Sequence, residues 1–290
     1  MENKHSNCLI CKKSNPVDLT DFTKAGLTKC SGCGFVFAKQ IPTEKELIEY
    51  YNGYGRNDYL SPITIKRYNE LLDKFEKFRK TNKILDVGCG IGYFLEVAKK
   101  RGWEVYGTEY TDEALTICNS KGITMKEGKL IDKMFDDNNF DIITSFEVLE
   151  HINNPLEEIG LFHKFLRTGG LVYLTTPNFN SLLRYKLKEK YNVITYPEHL
   201  SYYTPRTLNN LFNTCGFKKL NIQTTGISLT RLKTSSGKTS QAYISESSDD
   251  EKLRNNIESK KYMQLLKDTI NFTLTLFGIG DSLKGWFIKK

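Results

Sequence analysis

Apolar runs alternate with glycine-punctuated breaks along most of the chain, and that rhythm predicts its elements. Ile84, Leu85 and Val87 form a buried-strand run. Gly88, Gly90 and Gly92 follow at alternate positions, and Phe94, Leu95, Val97 and Ala98 then recur at helical spacing up to Gly102. Strand, glycine turn and helix in direct succession make the first unit of a doubly wound α/β sheet. The pattern repeats downstream. WEVYGTEY reads as the second strand. TDEALTICNSKG reads as a helix, capped by Thr111 and ended by Gly122, with Ala114, Leu115 and Cys118 inward. ITMKEG is the third strand and Phe140 to Ser145 the fourth. A helix from Pro155 through Phe165 is broken by Gly169 and Gly170, LVYLTTPN is the fifth strand, KKLNIQTTG the sixth, and DSLKGWFIKK the closing one.

The flanks follow helical rather than strand periods. Thr43 caps EKELIEYY, with Glu46 three residues on completing a capping box and Leu47, Ile48 and Tyr51 on one face. Ile65, Tyr68, Leu71, Leu72, Phe75 and Phe78 mark a second amphipathic helix to about Lys80. Tyr50, Tyr51, Tyr54 and Tyr59 pack there or wall a pocket. Between the fifth and sixth strands lies an insert whose polar and aromatic residues, Glu198, His199, Ser201, Tyr202 and Tyr203, suggest a lid. Thr204 and Pro205 then open a helix that Gly216 ends. The stretch TSSGKTSQAYISESSDD is polar and loop-like. One amphipathic helix is expected from about Asp250 to Phe277, packed on the sheet rather than on a membrane.

Composition narrows the class. The chain has 290 residues, 39% hydrophobic and 26% charged, which suits a soluble fold of one α/β domain plus additions. A net charge of +8 favours anionic substrates, nucleic acid or an anionic membrane. The Lys and Arg residues are dispersed, with no run long enough for a nucleic-acid arm, so nucleic acid is disfavoured. The polar start MENKHSNCLICKK and the absence of a spanning apolar run lead us to expect a cytoplasmic protein, where thiols stay reduced.

Four of the seven cysteines sit in the first forty residues. Cys8 and Cys11, then Cys30 and Cys33, form two C-x-x-C pairs, which is zinc-ribbon spacing. Four thiolates close a tetrahedral site, so Zn²⁺ there is structural. Two disulfides are the rival reading, and the expected compartment argues against them. His5 reads as a flexible terminal histidine, and GFVFA as a short strand.

The glycine turn places backbone N–H groups where an anion binds. Asp86, just before the first glycine, suits a ligand with a positive amine. Glu109, ending the second strand, suits a ribose diol. A dinucleotide fingerprint sets its third glycine one position later, so a nicotinamide site and a ligand-free turn are the alternatives. Ligands of open α/β sheets bind at the carboxyl ends of the strands. That edge carries Glu147, Glu150 and His151 after the fourth strand, and Thr176, Pro177 and Asn178 after the fifth.

Taken together, the two C-x-x-C pairs, EYYNGY, LDVGCGIGYFL, FDIITSFEVLEHINNP, GGLVYLTTPN, EHLSYYTPRTL and GDSLKGWFIKK resemble class I S-adenosylmethionine-dependent methyltransferases. Among these it looks like the bacterial members that join a zinc ribbon to the methyltransferase core and are common in sugar and surface-polysaccharide pathways. The resemblance implies a Rossmann-like, seven-stranded sheet with an N-terminal zinc ribbon and a helical cap. It divides the chain into a ribbon (1–40), a helical cap or linker (41–80) and a methyltransferase domain (81–290). That domain carries a substrate-lid insert (179–205) and a helical insert (229–280). It places S-adenosylmethionine against Asp86, Gly88, Gly90 and Gly92, with the ribose on Glu109, adenine beside Leu130 and Ile131, and Phe146 and Glu147 as the floor. Tyr110 stands where a smaller residue is common. The implied acceptor is a small molecule or glycan, foremost a nucleotide-linked sugar, methylated on a hydroxyl or a carbon. Alternatives are an RNA, a small acid, a quinone or a lipid, and lastly a non-catalytic cofactor-binding module. An alcohol must lose its proton. His199 is the first candidate base and His151 the second, with Glu150 or Glu198 assisting either. His163, in mid-helix, is assigned no role.

Overall fold

A computed structural model describes residues 3–43, 45–47, 59–235 and 249–290. The expectations for Ile48, Tyr50, Tyr51, Tyr54 and most of the polar stretch after Lys233 lie outside the described residues. The main sheet has seven strands: β4 (Lys83–Val87), β5 (Glu104–Glu109), β6 (Thr124–Glu127), β7 (Phe140–Phe146), β8 (Leu166–Pro177), β10 (Phe217–Thr225) and β11 (Ser282–Lys289). Their spatial order is β10-β11-β8-β7-β4-β5-β6. Strands β6, β5, β4, β7 and β8 run parallel; β11 adds antiparallel to β8, and β10 adds antiparallel to β11 and so points the same way as the other five. The chain starts in the middle at β4, builds outward to β6, then returns to place β7 on the other side. That reversal opens the crevice in which such sheets hold ligands.

Alternation along the strands divides the core in two. Leu85, Val87, Ile143, Val172 and Leu174 face α4 (Pro155–Phe165) and α6 (Pro205–Thr214). Ile84, Ile142, Leu171, Tyr173 and Trp286 face α1 (Pro62–Phe75) and α2 (Tyr93–Lys100). Asp141, fully buried at the start of β7, ties the segment after α1 to the sheet. It accepts from Arg167 Nε and from the Lys80 and Asn82 N–H groups at 2.7 and 2.8 Å. Helix α3 (Asp112–Ser120) begins after Thr111, whose side chain makes no cap bond. The Thr43 and Glu46 capping box forms as expected, Thr43 N–H donating to Glu46 Oε2 at 2.7 Å.

The ribbon is not a separate unit. Its strands β1 (Val17–Asp18), β2 (Leu27–Lys29) and β3 (Val36–Ala38) take a fourth partner, β9 (Ser201–Tyr202), from the distant insert. A segment this small cannot bury its own core. It therefore buries Phe35 and Phe37 in the cluster that contains Tyr203, with Phe35 and Tyr203 centroids 5.2 Å apart. His5, expected at a flexible end, bonds Asn153 Oδ1 at 2.5 Å and packs edge-on against Phe37.

Two more expectations are corrected. Gly169 and Gly170 do not break the helix, because β8 already starts at Leu166 and runs through them. The helix expected over 250–277 is two, α8 (Asp249–Ser259) and α9 (Lys261–Phe277), because Lys260 is extended with φ −127°. The break lets α8 dock on α1, with Ser61 Oγ donating to the buried Glu251 and Lys66 pairing with Glu258 at 2.6 Å. Helix α9 then meets β10 through Leu274 and Thr275 but leaves Tyr262, Leu265, Leu266, Phe272, Leu276 and Phe277 exposed. No helix among the described residues is long and apolar enough to cross a membrane.

Candidate active site

The turn between β4 and α2 separates two uses of glycine. Gly88 and Gly92 sit at φ +70° and +76°, and a Cβ on either would lie 2.6 Å from Val148 or Ile123, respectively. Packing alone requires them. Gly90, at φ +53°, would meet nothing within 4 Å. It opens onto the crevice, and its N–H donates to Glu109 Oε2 at 2.9 Å while Tyr110 N–H donates to Oε1 at 2.8 Å. These bonds orient the carboxylate at the carboxyl end of β5 and leave lone pairs for a diol.

Asp86 lies beside this turn, 2% exposed, and accepts from Thr144 Oγ1 at 2.8 Å. Burial pushes its carboxyl up to about 7, the Thr144 bond opposing and the Glu109 charge adding. A buried carboxylate with one neutral donor is short of a cation, and an amine or sulfonium supplies one. The residues present thus fit the cofactor implied by the sequence. Phe146 packs against Phe94, Tyr173 and Tyr68, with centroids 5.1, 5.7 and 6.1 Å away, so it closes the crevice from behind. Leu130, expected beside adenine, is 2% exposed in the core cluster under the sheet, and the neighbouring Ile131 is 51% exposed.

Beyond β7 the backbone turns sharply at Glu147, whose φ of +52° is unusual for a side chain of that size. The turn brings Glu150 and His151 to the insert. His151 Nδ1 donates to Glu198 O at 2.8 Å, and His199 Nδ1 donates to Val193 O at 2.7 Å. The two rings meet edge to face, 4.8 Å between centroids. Glu150, 3% exposed, accepts from Thr176 Oγ1 at 2.8 Å. Burial and the Glu147 charge hold its carboxyl well above the usual carboxylate range. Burial, then the neighbouring His151, pushes His199 down to about 4; burial also lowers His151. Both histidines are therefore neutral near pH 7. The Glu198 side chain is engaged with Thr195 Oγ1 at 3.1 Å. The insert does not swing free as a lid: Leu200 N–H bonds Glu150 O, Ala38 N–H bonds Leu200 O, and Ser201 Oγ bonds Ile152 O, all within 2.8 to 2.9 Å.

Sequence reasoning missed the cations of this wall. Lys284, on the inward face of β11 with Trp286, is pushed down to about 8 by burial and by the charges of Arg67 and Lys74, against Glu147. Arg231, on α7 (Leu229–Ser235), faces Tyr191, Glu147 and Asp281, which hold its charge despite burial. A lysine at an inward strand position was the one available signal.

The four ribbon cysteines converge. Cys8 and Cys33 Sγ atoms are 3.5 Å apart, and Cys11 and Cys30 3.4 Å. Ile10 N–H points at Cys8 Sγ, and Gly32 and Cys33 N–H groups at Cys30 Sγ. A Cβ on Gly32 would lie 3.6 Å from two of the sulfurs and 2.9 Å from Lys13 Cδ.

A parallel sheet with an antiparallel β11–β10 edge, a glycine turn after its first strand and an acid after its second define the class I methyltransferase architecture. The family model described as "Methyltransferase domain" matches residues 59–222, more than half of the chain, and the chain belongs to that family. It is 30% identical over 105 residues to ubiquinone biosynthesis O-methyltransferase of Pseudomonas aeruginosa, covering 34% of this chain and 45% of the relative. The match to the Aliivibrio fischeri protein of that name is 32% over 105 residues, with the same coverage. The chain thus spans less than half the length of these curated relatives. Among solved structures, a SAM-dependent methyltransferase from Archaeoglobus fulgidus superposes with TM-score 0.53 at 19% identity, covering 84% of this chain and 98% of that one. Haemonchus contortus phosphoethanolamine N-methyltransferase 2, in complex with S-adenosyl-L-methionine, gives 0.54 at 18%, covering 85% and 57%. These structures share the fold.

Proposed function

We propose that this chain transfers a methyl group from S-adenosylmethionine to a hydroxyl of an anionic acceptor, a nucleotide-linked sugar or glycan precursor, and that its ribbon holds one structural Zn²⁺. The cofactor reading rests on Glu109, oriented by the Gly90 N–H beside the buried Asp86. The acceptor reading rests on one juxtaposition: Arg231 acts on Glu150 and His199 of the wall, and both Arg231 and Lys284 act on Glu147 at its edge. Cations flanking a proton-accepting wall suit a hydroxyl carried on a phosphorylated molecule.

When bound, the cofactor supplies an electrophilic methyl group on a sulfonium centre. Glu109 would hold the ribose hydroxyls and Asp86 the amine. Tyr68, Phe146 and Tyr173 keep water from the crevice. The His199 Nδ1–H is fixed on Val193 O, which leaves Nε2 to take the acceptor hydroxyl's proton as the methyl group arrives and to pass it on to solvent; burial lowers the basicity of the ring, so the imidazolium is short-lived. Cys8, Cys11, Cys30 and Cys33 would close a tetrahedral site. Sulfurs at ~2.3 Å from zinc lie roughly 3.8 Å apart, near the spacing already present. With no open position, the ion's work is to hold β3, and through β9 the wall that carries His199.

A second reading is supported by the relatives' names and by the exposed apolar face of α9: a phenolic hydroxyl on a lipid-tailed quinone precursor. Methyl transfer to nucleotide sugars compared with that to phenols separates the two. Lys284→Ala should raise KM about tenfold or more for the first class and leave it unchanged for the second.

A further inference from the structure

We propose that Glu150, His151 and His199 bind one divalent transition-metal cation, distinct from the cysteine site, with open coordination positions for an acceptor oxygen. One ligand atom from each of the three residues lies within 4.8 Å of the others. The three come from two elements that are pinned together: the turn after β7 and the insert, joined by the Leu200 N–H bond to Glu150 O.

The histidine tautomers carry the argument. Each ring spends Nδ1 on a backbone carbonyl, Glu198 O or Val193 O, at 2.8 and 2.7 Å. That arrangement is the usual outer support of a metal-bound imidazole, because it fixes the ring and leaves the Nε2 lone pair for the ion; with the ion bound, His199 Nε2 holds the metal and the acceptor oxygen meets the metal in place of the ring. Thr176 Oγ1 does the same for the Glu150 carboxylate. Two imidazoles and one carboxylate suit Mn²⁺, Fe²⁺, Co²⁺ or Zn²⁺, and three protein ligands leave positions open. Beside them a cavity of about 10 Å³ is lined by Glu150, His199, Tyr191, Ser201 and Tyr202.

The cation site stands independently of the reaction. Its second part, that an acceptor oxygen completes the coordination, rests on the methyl-transfer reading. The test is a Co²⁺ titration of the full chain with Zn²⁺ already on the cysteines. We expect one further equivalent, with weak visible bands of nitrogen and oxygen ligation and no thiolate charge transfer. His199→Ala and His151→Ala should weaken it at least about tenfold. Should either variant lose its far-ultraviolet signature, Glu150→Gln, close in shape, makes the same measurement. No second equivalent, or one that none of the three substitutions weakens, overturns the site. Methyl transfer that proceeds with no second metal refutes the coordination of the acceptor and leaves the proposed function standing. A second metal that binds while no acceptor is methylated does the reverse.

Discussion

Glu109→Gln isolates the contact on which cofactor recognition depends. The carboxylate is oriented by two N–H donors, from Gly90 at 2.9 Å and Tyr110 at 2.8 Å, and its remaining lone pairs face the crevice. In the complex it would accept both ribose hydroxyls. Hydrogen bonds to a charged acceptor contribute ~1.5–3 kcal/mol each, and neutral ones ~0.5–1.5 kcal/mol. Glutamine keeps one neutral acceptor and loses the charge, so the net loss is about 2–5 kcal/mol. At 1.4 kcal/mol per decade, Kd should rise roughly 30-fold to a few thousand-fold. Because Glu109 is only partly buried, the lower half of that range is the better expectation. Calorimetric titration with S-adenosylmethionine and with S-adenosylhomocysteine measures it, and both should weaken alike because they share the ribose. Melting without ligand should shift by only a few degrees. A Kd within threefold of wild type would refute the assignment. A collapse of the melting temperature would mean that Glu109 chiefly holds the turn.

Other consequences follow from the same geometry. Gly90→Ala should cost about 1–2 kcal/mol of stability from its φ alone yet abolish measurable cofactor binding. Gly88→Ala, whose Cβ would meet Val148 at 2.6 Å, should cost more in a denaturant titration. Burial raises Asp86 to about 7, so the free protein keeps that proton between the ordinary carboxylate range and about pH 7, and its stability falls as pH rises through that window. A cationic cofactor favours the ionised form. Its affinity should therefore climb with pH to a plateau above about 7, and Asp86→Asn should flatten the curve; a flat wild-type profile contradicts the pairing. Arg167→Ala strands the buried Asp141 and should cost ~3 kcal/mol in denaturant unfolding. The Asp141 carboxyl, although burial opposes it, is held below its ordinary range by Arg167 and the backbone N–H groups, so this stabilisation is lost as pH falls through that lowered value. Removing Zn²⁺, or Cys30→Ser, should speed amide exchange at Ser201 and Tyr202, because β9 pairs with β3. Unchanged exchange there would separate the ribbon from the wall.

What was legible in the sequence was local. The strand, turn and helix around Gly88 to Gly92 follow from apolar spacing and glycine, and the Thr43 capping box from a four-residue motif. The cysteine spacing brought four sulfurs together because each C-x-x-C closes its own knuckle. The misses are contacts between distant segments, or charges inside apolar surroundings. Nothing near Ser201 marks it as the fourth strand of a sheet that begins at Val17. Lys284 and Arg231 look like solvated surface charges until β11 turns one inward and α7 brings the other against Glu147. The break at Lys260 carries neither proline nor glycine; it exists because α8 docks on α1 through Glu251, a contact across about 190 residues. The sequence places His199 on a loop that reads as a lid, and the fold fastens that loop through Leu200 and Ser201.

The most direct measurement is transfer of labelled methyl from S-adenosylmethionine to a panel of nucleotide-linked sugars, simple phenols and RNA by the zinc-loaded chain. The account predicts counts on a sugar hydroxyl that vanish in Glu109→Ala and fall at least about a hundredfold in His199→Ala. Counts confined to phenols or RNA would contradict the acceptor. No counts on any of them, with cofactor demonstrably bound, would contradict the account at its centre.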